Sequence, residues 1–443
     1  MLQTKNSRYT RTIEAIALDL FLIAILLFLL NRSTQNVYYF LGWKICCFSS
    51  CALIIGLFIY WCHFHGLSKG KHYVFLHAKM YKALNDALYD SGIYTEHIIL
   101  LKKCAVLPKI KIHLNNNLSG GIIFVENCIK LDRRLDEMPI SSALPDSFIL
   151  ISSYISDDCN SYVYEFENFS LEQLKFNSYS EFKNYTKKQG KYELFLDSRH
   201  KVPLFHALII GQTGSGKTYC LYNIILQMLS KSISYELYIC DPKLSGLYAI
   251  GYKLNPNQVA STPEEILQIL NNFEIRMLKR KKEFFGMLMS KLDSDYRDFS
   301  MNPICLIIDE YSSFRATLAQ FDKKTRDRAD SIIGNIIREG RQLGCFCILS
   351  QQQSNSTNLP TELRENMPLK IILGMSERQT YMTVLGVYPD IAKRKYKQGQ
   401  GIFVYPQIAT AENPAITAVS TLNFDILKAV EETVIESAQE KGA

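Results

Sequence analysis

A lysine and a threonine that close a glycine-rich octet, and an acidic pair that closes an apolar run, are the side chains here whose types and spacing suit phosphate chemistry. Residues 211–218 read GQTGSGKT and complete the pattern G-x-x-x-x-G-K-[ST], with Gly211, Gly216, Lys217 and Thr218 at the defining positions. Glycines at 211, 214 and 216 let backbone N–H groups approach phosphate oxygens, and the positive end of the helix expected to follow faces the same anion. The whole octet, Gly211, Gln212, Thr213, Gly214, Ser215, Gly216, Lys217 and Thr218, is therefore expected to bind ATP. Lys217 should reach the β- and γ-phosphates, and the Thr218 hydroxyl should ligate Mg²⁺. Downstream, the run ICLII ends in Asp309 and Glu310. Asp309 is expected to orient Mg²⁺ through its water shell, and Glu310 to polarise the attacking water, which favours hydrolysis with turnover over mere binding.

Such groups need a scaffold. From Pro203 onward short apolar runs alternate with long helical stretches, the pattern of a parallel sheet covered on both faces. The run from Phe205 to Ile210 should be the strand in front of the phosphate loop, and ELYIC runs directly into Asp241, Pro242 and Lys243, placing charge at the carboxyl edge of the sheet. A further strand, CFCIL from Cys345, is closed by Ser350, Gln351 and Gln352, and Gln351 is the candidate for sensing the γ-phosphate. Before that strand, IIREGRQL carries Arg338 and Arg341 on one helix face. Either could be presented to a neighbouring subunit's site, pair with acids such as Glu339, or bind nucleic acid. The helix expected from Glu264 to Lys291 carries a basic band, RMLKRKKEF, which reads as a solvated face or as a DNA contact. The basic run Lys393 to Lys397 precedes GQGIFVY, a turn and strand, and the chain closes on an amphipathic helix.

The 443 residues suffice for two or three domains, and the net charge of +7 permits an anionic partner without identifying one. Two apolar runs near the start, Ala15 to Leu30 and Ile45 to Cys62, approach or meet the length of a membrane span. Lys5, Arg8 and Arg11 precede the first and Lys69, Lys71 and Lys79 follow the second, so positive-inside reasoning puts both termini and the body of the chain in the cytoplasm. The twelve cysteines show no C-x-x-C pair, and Cys345 and Cys347 alternate along a strand rather than suggest zinc. Between anchor and sheet, one amphipathic helix from His72 to Tyr89 and several short alternating runs read as a small α+β domain without a catalytic constellation.

In this order GQTGSGKT, DPK, LIIDE and LSQQ resemble the motor domain of FtsK-type DNA translocases, and FEIRMLKRKKEF and GQGIFVY match the same pattern. The upstream stretches KIKIHLNNNLSGGIIFVEN, LDRRLDEMPISSAL and SYISDDCNSYVYEFEN are similar to the membrane-anchored FtsK-type coupling proteins of Gram-positive conjugative elements. The resemblance implies an α/β fold: a RecA-like P-loop ATPase with a parallel-sheet core over residues 201–443, preceded by an α+β membrane-proximal domain over 67–200 and a tail with a two-helix transmembrane anchor over 1–66. It further implies a homo-hexameric ring that moves DNA without reading its sequence, with a relaxase complex and transfer-channel proteins as partners. Arg341 then matches the family's trans-acting arginine, and Lys217, Thr218, Asp309, Glu310 and Gln351 take the roles given above. Chromosome or plasmid segregation, protein secretion of the type VII kind, and docking that uses ATP only for assembly are the alternative readings.

Overall fold

The structure is a computed structural model that describes residues 3–34, 37–99, 102–128, 134–135, 140–145, 148–168, 173–352, 360–389, 391 and 395–442. The chain divides into two compact units, Met1–Phe169 and Ser170–Ala443. The first contains two long helices, Lys5–Thr34 and Val37–Phe64. Among the described residues one helix, Val37–Phe64, is long and apolar enough to cross a membrane, whereas the apolar stretch Leu18–Leu30 of the other is shorter. Of the two expected spans, the second therefore meets the length requirement and the first falls short of it, because charged and polar residues crowd its amino-terminal side.

The rest of that unit is α+β. An antiparallel sheet runs in the order Ile110–Leu114, Gly120–Glu126, Ser161–Asn168, Phe148–Ile155. Ile110, Ile112 and Leu114 alternate inward, as a half-buried strand requires. They share a core with Met80, Leu84 and Leu88 of the helix Lys71–Asp90. Half of LDRRLDEMPISSAL lies outside the described residues.

The second unit is built on an eight-stranded sheet. Its strands are β1 (Ala207–Gly211), β2 (Glu236–Cys240), β3 (Val259–Ala260), β4 (Ile304–Ile308), β5 (Cys345–Gln351), β6 (Leu369–Leu373), β7 (Gln400–Val404) and β8 (Ala415–Ala418). The spatial order is β3-β2-β4-β5-β1-β6-β7-β8, with β1 to β6 parallel and β6-β7-β8 an antiparallel meander. Every residue of β1, β4 and β5 is buried, which explains why these strands read as unbroken apolar runs rather than alternating ones. One inserted strand, β5, separates β1 from β4, so the loop after β1 and the acids after β4 converge across the tip of β5.

The unit begins before the boundary expected at residue 201. Lys175–Phe176 pairs in parallel with Thr421–Leu422, and the ring of the fully buried Phe182 packs edge-on against Phe176 and tilted against Phe195 and Phe424. Gln227 pairs with both backbone groups of Phe195. Residues 173–200 thus pack as a flank of the sheet domain and include one helix, Tyr179–Lys187.

The basic band on the helix Pro263–Leu288 is largely consumed internally. Arg276 pairs with Glu236, the buried Arg280 donates to the carbonyls of Leu343 and Asn302, and Lys281 pairs with Glu339. Lys279 and Lys282 alone in that band point to solvent without an ion-pair partner among the described residues.

His206, just before β1, is 1% exposed and its Nδ1 accepts the backbone N–H of Cys347 at 3.1 Å. Burial, reinforced by Arg341, pushes its pKa from 6.5 down to about 3. The unfolded imidazole takes its proton near 6.5 and the folded one near 3, so this contribution to stability is intact above 6.5 and is lost as pH falls toward 3. The expected loss is roughly 2 kcal/mol between pH 6.5 and 5. His206→Asn keeps an acceptor for Cys347 but cannot titrate. The Tm difference between the parent chain and this variant should therefore narrow as pH falls from 7 to 5, and a constant gap would contradict the argument.

Candidate active site

The phosphate loop leaves β1 at Gly211 and enters the helix Lys217–Leu229 at Gly216. Gly214 and Gly216 hold left-handed backbone, with φ of +82° and +101°, which L side chains rarely adopt. A Cβ on Gly216 would lie 2.9 Å from the backbone N and Cα of Gly399, and one on Gly211 would meet Ser215 Oγ at 2.3 Å. The Gly399 N–H donates to the Ser215 carbonyl at 2.8 Å, so the turn before β7 forms a wall against the loop. Gly374, at the end of β6, closes the other side beneath Ser215. Gln212, Thr213 and Gly214 form the exposed crest, Ser215 to Lys217 are buried, and Thr218 is half-buried.

Lys217 is the centre of the site. Its Nζ lies 3.2 Å from Asp309 Oδ1 and 2.6 Å from Glu310 Oε1, with all three side chains nearly buried. Ser350 Oγ donates to the same Asp309 oxygen at 2.7 Å, and Gln352 Nε2 donates to Glu310 Oε1 at 3.2 Å. Lys243 Nζ reaches Glu310 Oε1 at 3.0 Å. Burial raises the Glu310 pKa, but the hydrogen bonds and charges of Lys217 and Lys243 outweigh it and hold the carboxyl below the usual glutamate range. Glu310 also has left-handed backbone at φ 47°, ψ 46°, which turns the chain from β4 into the helix Tyr311–Leu318.

The fold thus brings together the octet, Lys217, Asp309 and Glu310. It separates Gln351 and Arg341 from them. Successive side chains of a strand face opposite ways, so Ser350 and Gln352 meet the acids while Gln351 turns to the other face. Gln351 is fully buried there, and neither atom of its amide has a partner among the described residues. Arg341 lies over the Phe205 ring at 4.7 Å, at the amino edge of the sheet, roughly a strand's length of 17 Å from the phosphate loop. Arg338 pairs with Glu362 and Asn335. The sequence reading gave no role to Gln352, Lys243, Gly374 or Gly399. Only Lys243, charged and directly after a buried strand, carried a usable signal. Lys393 and Arg394 of the last basic run lie outside the described residues.

The donor set fits Mg²⁺ and a polyphosphate: a threonine hydroxyl and a carboxylate are hard oxygen ligands, and the space above Gly214 is open. A buried parallel sheet, a glycine loop at its carboxyl edge and a Lys-Asp-Glu cluster across one inserted strand define a P-loop ATPase architecture.

Comparison with known proteins narrows the class. The FtsK/SpoIIIE family model matches residues 175–299 of the chain. It is 29% identical over 196 residues to the FtsK domain-containing protein YdcQ of Bacillus subtilis (strain 168), covering 44% of this chain and 40% of that protein. It is 23% identical over 215 residues to the DNA translocase FtsK of Caldanaerobacter subterraneus subsp. tengcongensis, covering 47% of this chain and 28% of that one. The matches thus span less than half the length of these relatives. The structure of the pCW3 conjugation coupling protein TcpA, monomer form with ATPgS, superposes with a TM-score of 0.50 at 16% identity, over 81% of this chain and 99% of that one. At that identity the likeness establishes a shared fold.

Proposed function

We propose that this chain is a membrane-anchored, ATP-driven DNA translocase that serves as the coupling protein of a conjugative transfer channel. The observation that carries the reading is the Lys217 ammonium held between Asp309 and Glu310 at the carboxyl edge of a sheet whose first three strands fall within the FtsK/SpoIIIE match. Two apolar segments, Ala15 to Leu30 and Ile45 to Cys62, anchor the chain with both termini cytoplasmic.

Backbone N–H groups of the octet bind the ATP phosphates, and Lys217 turns from the carboxylates to the β- and γ-phosphates. Thr218 and Asp309 hold Mg²⁺, which when bound neutralises charge on the phosphate oxygens. Glu310 polarises the water that attacks the γ-phosphorus, and Gln352, already on that carboxylate, reports the loss of the γ-phosphate in place of Gln351. Arg341 is offered from the opposite edge of the sheet to a neighbouring copy in a homo-hexamer. DNA is gripped by its backbone, independently of sequence, and is received from a relaxase complex for delivery to channel proteins.

The test is steady-state ATPase activity of the full chain in detergent or nanodiscs, with and without single- and double-stranded DNA, against Lys217→Ala. DNA-stimulated turnover that vanishes in Lys217→Ala is the expected result. Turnover indifferent to DNA would redirect the reading to protein secretion, and ATP binding without turnover to docking.

A further inference from the structure

All three donors to Glu310 converge on one oxygen. Lys217 Nζ, Lys243 Nζ and Gln352 Nε2 lie 2.6, 3.0 and 3.2 Å from Oε1, whereas Oε2 receives no donor among the described residues. The donors come from three different places in the fold: the phosphate loop, the end of β2 and the end of β5. If Lys217 is committed to phosphates during turnover, the carboxylate keeps only Lys243 and Gln352.

Lys243 is built to stay. Asp241, fully buried at the end of β2, accepts from the backbone N–H of Lys243 at 3.1 Å and of Ser245 at 2.7 Å. It also accepts from the Ser245 hydroxyl at 2.6 Å and from the Tyr248 N–H at 3.2 Å. These four bonds lock a tight turn, in which Leu244 takes the left-handed φ of 53°. The turn needs no lysine of its own, because Asp241 uses only the backbone of residue 243. The side chain nevertheless spans from one strand end to another to reach a nearly buried carboxylate, giving up the rotamer freedom of a long stem.

We propose that Lys243 is a positioning residue for hydrolysis: together with Gln352 it clamps Oε1 of Glu310, so that Oε2 is the oxygen presented to the attacking water. In that step a water oxygen bonds to the γ-phosphorus and its proton passes to Oε2. The bond to the β–γ bridging oxygen breaks with its electron pair on ADP, and inorganic phosphate departs. Lys243 touches neither water nor phosphate; it fixes the rotation of the carboxylate about its terminal torsion, which is otherwise broad. The inference rests on the ATPase reading above.

Lys243→Met keeps the stem and removes charge and donors, and Lys243→Arg restores both. In the full chain, Lys243→Met should lower kcat on the order of 10- to 100-fold. The KM for ATP, the Kd of a fluorescent non-hydrolysable ATP analogue and Tm should change by no more than about twofold in affinity and a few degrees. Lys243→Arg should recover most of the loss, and Lys243→Met added to Glu310→Gln should cost nothing further, since both act through one carboxylate. Three results would overturn the assignment: an unchanged kcat, analogue binding weakened in step with kcat, as for a direct phosphate ligand, or additive losses in the double variant. Failure of the parent reading looks different, because the unmodified chain would then show no more turnover than Lys217→Ala, and the clamp would fall with it.

Discussion

Glu310→Gln is expected to stop ATP turnover while leaving nucleotide binding intact. The substitution preserves shape and leaves an amide oxygen where Oε1 accepts from Lys217, Lys243 and Gln352, but it removes the group that can take a proton from water. Loss of a positioned general base costs about 10²- to 10⁴-fold in rate, so kcat should fall below a few per cent of the parent value. Lys217 keeps Asp309 as a partner, and the Kd of the fluorescent ATP analogue should stay within a few-fold. Steady-state turnover and equilibrium binding on one preparation test this, and retention of a tenth or more of kcat would take Glu310 out of the base role. DNA transfer in cells adds a second readout: a motor stops with the variant, whereas a docking protein that only needs ATP to assemble carries on.

Gly216→Ala should remove nucleotide binding altogether, through the backbone rather than through a lost contact. At φ +101° an L side chain is strained, and the added methyl carbon has nowhere to go, because its nearest neighbours at 2.9 Å are backbone atoms of Gly399. The conformational cost alone is about 1–2 kcal/mol. The clash must also push the loop off the turn before β7, breaking the Gly399 to Ser215 hydrogen bond and splaying the N–H groups meant for phosphate. Gly214→Ala is the informative control. It shares the strained φ of +82° but meets no protein atom within 4 Å, so it should lose stability through strain alone, without the collision with Gly399. Gly286→Ala, in a helix with nothing within 4 Å, should be neutral or stabilising by roughly 0.5–1 kcal/mol. Thermal melts and analogue binding on the three variants separate strain from collision, and equal binding by Gly216→Ala and the parent would refute the wall described above.

The parts of the site that were legible in the sequence are those held by local rules. Phosphate-loop spacing is fixed by the backbone geometry of a single turn, and Asp309 and Glu310 follow an apolar strand that could hardly be anything else. The neighbours of those groups are set by sheet order, which no local pattern encodes. That β5 inserts between β1 and β4, and that Gln352 rather than Gln351 faces Glu310, depends on which way the last residues of one strand point. Lys243 reads as charge at the carboxyl edge of the sheet, but which side chain it meets there appears only when β2 and β4 lie side by side. The basic band on the helix Pro263–Leu288 misled in the opposite direction, since charges that read as a surface are largely spent on Glu236, Glu339 and two backbone carbonyls. The early start of the second unit at Ser170 was hidden for a related reason: a two-residue strand, Lys175–Phe176, finds its partner only near the end of the chain, at Thr421–Leu422.

The turn at Gly399 that backs the phosphate loop has a consequence for how the molecule is made. The octet is synthesised before the middle of this unit, and Asp309 and Glu310 before its last third, yet the surface that shapes the octet arrives only with the hairpin of β7 and β8. Contacts so distant along the chain form late, after most of the loop-closure entropy has been spent. A growing chain would therefore carry every residue of the ATP site well before it could hold a nucleotide. The phosphate loop would stay unfinished on the ribosome until β7 and β8 had closed behind it.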